Sequence, residues 1–199
     1  VSAFLGPIHI WLYNKIQNLE SLELRLSNKD TPDASMFLTK DLESVIDPER
    51  IHQSLQEMIA TVETRFSRIV EGLVTKNSFS FAQEVFYSQG TDDGTLANSL
   101  SKTQSLEGIY KSLNDFILEG MPCDTINNMD AADEHRIQWH TPDALHATHW
   151  KDSNIYYTLR SYYINAFVKA FDEALDYNYT ITDGMLFHEI KRRSLNEDH

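Results

Sequence analysis

Apolar residues recur three and four apart along most of this chain, and that spacing predicts helices. Gly6-Pro7 opens the first, because proline is well tolerated at the first helical position. Ile8, Leu12, Ile16, Leu19, Leu22 and Leu26 follow as one stripe. At roughly 100° per residue they cover about a third of the circumference. The polar cluster from Asn28 to Ser35, with Pro32, ends this helix. A short amphipathic piece, 37–46, leads to Asp47-Pro48, which reads as N-cap and first helical residue. Ile51, Leu55, Met58, Val62, Phe66, Ile69 and Leu73 then form a seam suited to bundle packing. A third helix is predicted over 79–88, and "GTDDGT" at 90–95 reads as a turn. A fourth helix runs from Leu96 to Gly120, where Pro122 stops it.

From Cys123 to Lys151 the apolar period disappears. So long a stretch without period, inside one domain, is more often functional than idle. The period returns at Asp152 or Ser153, with Ile155, Leu159, Tyr162, Tyr163, Phe167, Phe171 and Leu175. The end of the chain alternates instead, around Asp183-Gly184. That dipeptide favours a type I′ turn, because both turn residues need positive φ. Thr182 should then pair with Met185, and Ile181 with Leu186. The expected fold is all-α: a single domain over 1–199, with four to five main helices in a bundle. A crossover at 121–151 and a small C-terminal β-hairpin at 177–191 complete it.

Charge narrows the partners. Thirty acidic residues against 17 basic ones leave a formal net charge of -13 over 199 residues. Such a chain suits neither phosphate backbones nor anionic membrane surfaces. No apolar run approaches the roughly 20 residues that span a bilayer. The first residues lack the basic and long apolar stretches of a signal peptide. Cys123 is the single cysteine and has no internal disulfide partner. Together these point to a soluble, cytoplasmic protein.

The densest chemistry lies in "EHRIQWHTPDALHATHW". It carries His135, His140, His146 and His149, half of the eight histidines, with Glu134 and Asp143 nearby. Imidazole and carboxylate suit zinc, iron or nickel. If 143–150 is helical, His146 and His149 share a face. Solvated loop histidines are the plainer alternative, since no HExxH or Cys-x-x-Cys accompanies them. Cys123, in "GMPCD", offers a thiolate for a metal or haem iron, or a nucleophile with His146 as its positive partner. A half-buried structural cysteine is the alternative there. His9 sits on the border of the first stripe, and Trp11 on the opposite border. His188 and Glu189 of the hairpin should face opposite sides, so one of them at most faces the bundle. Trp150 and the tyrosines at 156, 157, 162 and 163 are core or a ring-lined pocket, and Arg160 is placed to hold a carboxylate.

Three motifs, "GPIHIWLYNKI", "EGMPCDTIN" and "ALHATHW", occur in that order before an aromatic-rich helix. They resemble a family of uncharacterised all-helical proteins from anaerobic bacteria. The resemblance implies a helical bundle and no particular activity. It draws attention to His9, Trp11, Cys123, Asp124, His146 and Trp150. The expected function is a ligand-binding protein that holds a metal ion or haem between the first helix and the crossover. Its ligands would be His9, Cys123, His146 and His149, with Trp11, Trp150, Tyr157 and Arg160 lining the site. A metal-free small-molecule enzyme using Cys123 and His146 is one alternative. A homodimerising structural module with no site is the other.

Overall fold

The computed structural model describes residues 5–27, 36–124 and 126–193. The predicted helix-ending stretch at 28–35 and the Cys123 side chain lie outside the described residues. The chain divides into two compact units. One comprises residues 1–85 and 115–125, the other 86–114 and 126–199.

The first unit is helical. Helix α1 (Pro7–Leu26) packs on α3 (Ile51–Thr75), with the short α2 (Leu42–Val45) between them in sequence. Leu12 and Ile16 meet Leu55, Met58 and Val62 in a core that Phe37, Leu118 and Met121 complete. The α3 seam is buried as expected through Phe66. Asp47 starts a turn, not the helix itself: its carboxylate accepts the Glu49 N–H at 2.9 Å, and α3 begins at Ile51. The α1 stripe is rotated from its predicted centre. Ile8 is 49% exposed, whereas Tyr13, Glu20 and Glu23 are buried.

The second unit corrects the all-α expectation. It carries a four-stranded antiparallel sheet in the order β1-β2-β4-β3, so the chain mixes helix and sheet. Strands β1 (Asn128–Ala132) and β2 (Arg136–Pro142) form a hairpin inside the stretch expected to lack regular structure. Ile137, Trp139 and Thr141 are buried alternately along β2, which is the period of a half-buried strand. Asp133 closes the turn by accepting the N–H groups of His135 and Arg136 at 2.8 and 2.9 Å. The C-terminal hairpin, β3 (Leu175–Thr182) and β4 (Met185–Arg192), has the expected register of Thr182 with Met185 and Ile181 with Leu186. Asp183 and Gly184 both have positive φ, at 52° and 76°. Helices α5 (Leu106–Asn114) and α6 (Ser153–Lys169) pack on the sheet.

Three further helix assignments differ from expectation. "GTDDGT" is not a turn but the middle of α4 (Phe79–Leu100). Gly90 and Gly94 lie one helical turn apart, and each meets the backbone of α6. A Cβ on Gly90 would stand 2.2 Å from the Tyr163 carbonyl oxygen, and one on Gly94 2.5 Å from that of Phe167. Close crossing requires glycine here, and tertiary packing overrides its poor helix propensity. The predicted helix 96–120 breaks at 101–105. Ser101 and Thr103 bond their own neighbouring backbone, and Ser105 Oγ accepts the Gly108 N–H at 3.2 Å to start α5. Finally, α6 stops at Lys169. The Asp172 carboxylate accepts the Ala174 N–H at 2.8 Å and turns the chain into β3.

Candidate functional site

His9 occupies the third position of α1. Its Nδ1 accepts the Gly6 N–H at 2.9 Å, and its own N–H returns to the Gly6 carbonyl at 3.0 Å. The side chain therefore closes the helix N-terminus in the way a capping-box glutamate does. A neutral ring with Nδ1 accepting carries its proton on Nε2, so neither nitrogen offers a lone pair to a metal. Metal-bound histidines have the opposite pattern, donating from the second nitrogen. The ring is buried, at 6% exposure, with the His52 ring edge-on at 5.6 Å. Trp11 donates Nε1–H to Asp115 at 2.8 Å, and the buried Lys15 ammonium sits 3.7 Å from its ring centroid. Its observed partners are an aspartate and a lysine of the protein itself.

His146, Trp150 and Tyr157 do assemble, in the second unit. The His146 ring packs 4.4 Å from Tyr156 and 6.0 Å from Tyr157, and Trp150 lies 5.3 Å from Tyr156. Tyr157 donates to the Asp143 carbonyl at 2.7 Å. Arg160 is buried one turn further along α6, on the side of Tyr156 and Tyr157. His146 ends a 3₁₀ turn, Asp143–His146, and His149 lies in the turns after it, so no α-helical face joins the two. His149 is half-buried, whereas His146 is enclosed. Among the described residues, no three His, Cys, Asp or Glu side chains gather as a metal would require.

Two constellations went unrecognised in the sequence. On the inner face of the sheet, His188 is 2% exposed and stacks on Trp139 at 4.7 Å. Its Nδ1 lies 2.7 Å from the Tyr177 hydroxyl, and its Nε2 lies 3.1 Å from Thr141 Oγ1. Both ring nitrogens are thereby satisfied, as a buried histidine requires. Cross-strand register brings Trp139 and Tyr179 opposite His188.

The outer face is open. A groove of about 420 Å³ is lined by Asp130, Gln138, Asn178, Thr180, Phe187 and Glu189, with Tyr179 and His188 at its border. Asp130 is the extra residue of a β-bulge in β1, a device that re-aims side chains. Its carboxylate holds His140 Nδ1 at 2.8 and 3.0 Å. The His140 ring lies 5.6 Å from Phe187, a phenylalanine left 41% exposed. Gln138 donates to one oxygen of Glu189 at 2.8 Å. Among the described residues, the Asn178 amide, the Thr180 hydroxyl and the second Glu189 oxygen have no hydrogen-bond partner within the protein. The signal for this face was the register itself. Asn178, Thr180, Phe187 and Glu189 fall on one face as soon as the Asp183-Gly184 turn is placed.

The first unit holds a different electrostatic feature. Glu20 and Glu23 are both fully buried on α1. The Glu20 carboxylate accepts the N–H groups of Met36 and Phe37 at 2.8 Å each, and also that of Leu38. Arg65 of α3 reaches Glu20 at 2.7 Å and Glu23, through Nε, at 2.7 Å. One guanidinium thus faces two carboxylates, and Glu23 Oε1 has no hydrogen-bond partner. Burial pushes the Glu23 carboxyl up to about 7; the hydrogen bond and charge of Arg65 oppose this, and the charge of Glu20 adds to it.

No helix among the described residues is long and apolar enough to cross a membrane. No protein-family model matches the chain, and neither a curated protein nor a solved structure matches it significantly.

Proposed function

We propose that the chain is a binding protein for a small molecule, held in the groove on the outer face of the second unit's sheet. One observation carries this reading. An exposed phenyl ring is ringed there by hydrogen-bonding groups that the protein leaves unused, on a four-stranded sheet. Binding sites combine an apolar surface with a few placed polar groups, and strands hold such groups more firmly than loops. The Asp130–His140 pair fixes the rim beside Phe187.

This keeps the ligand-binding class expected from the sequence but moves the site. His9 is committed to its helix end, and His146 is enclosed by Tyr156 and Tyr157. A cytoplasmic setting goes with the single cysteine and the acidic charge. The test is a protein-observed NMR fragment screen on the full chain. Hits should move the backbone amides of Asn178, Thr180, Phe187 and Glu189, and Phe187→Ala should abolish most of them. Hits that leave all four amides still would end the reading.

A further inference from the structure

We infer that the groove's ligand is a neutral saccharide, an inference that rests on the groove being the binding site. Charge supports it first. Among the described residues no lysine or arginine lines the groove, whereas Asp130 and Glu189 do, on a chain of net charge -13. Phosphate and carboxylate ligands find no cation there and meet like charge. The hydrogen-bonding chemistry supports it second. Asn178 and Thr180 both donate and accept, and Glu189 accepts. A ligand that matches all three must itself donate and accept at several points, as hydroxyl groups do.

Geometry supports it third. Asn178 stands opposite Glu189, and Thr180 opposite Phe187, in the β3–β4 register. Directly opposed residues lie about 5 Å apart, a spacing that suits hydroxyls on opposite edges of a six-membered ring. The C–H face of such a ring is apolar, and Phe187 presents an exposed ring for it to cover. An amphipathic ring with a hydroxyl rim and an apolar face answers the groove's amphipathic lining.

The experiment is an NMR titration of the ¹⁵N-labelled full chain with methyl glycosides of glucose, galactose and mannose, with cellobiose, and with galacturonate as the charged control. At least one neutral sugar should shift the amides of Asn178, Thr180, Phe187 and Glu189 and saturate at millimolar concentration. Phe187→Ala should weaken that sugar at least tenfold, and Asn178→Ala should weaken it several-fold. Both side chains are exposed, and unchanged peak dispersion elsewhere shows that each variant still folds. If fragments occupy the groove but no neutral sugar does, or galacturonate binds as well as the best neutral sugar, the ligand class is overturned and the groove reading stands. If neither fragments nor sugars reach the groove, both fall.

Discussion

Alanine in place of Gly90 drives a methyl group into the backbone of α6. The added Cβ would lie 2.2 Å from the Tyr163 carbonyl oxygen and 2.9 Å from its carbonyl carbon and Cα. Ordinary contact begins at 3.4 Å, so the helices must part by about 1.2 Å, the difference between 3.4 and 2.2. Backbone atoms cannot swing aside as a side-chain tip can. Overpacking of this kind costs about 3 kcal/mol. The better helix propensity of alanine returns about 1 kcal/mol, which leaves a net loss of about 2 kcal/mol. Separation would also strain the buried hydrogen bond from Tyr163 to Asp93, 2.6 Å long. Gly72 is the control, because a Cβ there meets nothing within 4 Å. Gly72→Ala should stabilise by up to about 1 kcal/mol through propensity alone. Urea unfolding followed by circular dichroism and tryptophan fluorescence measures both. Trp139 and Trp150 belong to the second unit and report on it. With a slope of roughly 2 kcal/mol per molar urea, the Gly90→Ala midpoint should fall by about 1 M. A Gly90→Ala chain as stable as wild type, or stabilised like Gly72→Ala, would refute the close crossing of α4 and α6.

Glu23 makes stability depend on pH. Its folded pKa of about 7 lies above the ordinary 4.5, so the folded chain holds a proton that the unfolded chain releases. The stabilisation is full below pH 4.5 and is lost as pH rises to about 7, a change of about 3 kcal/mol for a shift of this size. Glu23→Gln should flatten this limb in urea titrations run from pH 4.5 to 8; an unchanged slope would show that Glu23 is not its source. Tyr177→Phe removes the hydroxyl from His188 Nδ1 and should cost about 1–3 kcal/mol, read as a lowered Tm. His9→Ala frees the Gly6 N–H and should cost about 1 kcal/mol, with amide exchange rising at the start of α1. A metal-dependent Tm in the wild type that disappears in His9→Ala would contradict the capping role.

The period of α3 and the C-terminal turn read correctly, whereas the period over 96–120 ran through the break at 101–105. The α3 seam and the β3–β4 register follow from spacing and from Asp183-Gly184. The first hairpin did not, because β1 is an edge strand with one large apolar residue, the exposed Met129. Only Ile137, Trp139 and Thr141 carry the period there, too few positions to stand out from the polar residues between them. Gly90 and Gly94 misled because glycine in isolation signals a turn, and only the partner helix reveals a close crossing. The sequence pattern assigns His146, Trp150 and Tyr157 to one site with His9, Cys123, His149, Trp11 and Arg160; the rings of His146, Trp150, Tyr156 and Tyr157 pack together in the second unit. The groove was not foreseen, because its residues come from all four strands, and no local pattern joins Asp130 to Asn178.

The most direct test of the groove is a crystallographic fragment soak of the full chain. Fragments should cluster over Phe187, with polar atoms bonded to Asn178, Thr180 and Glu189. Fragments that settle elsewhere, with that face empty across the series, would contradict the account.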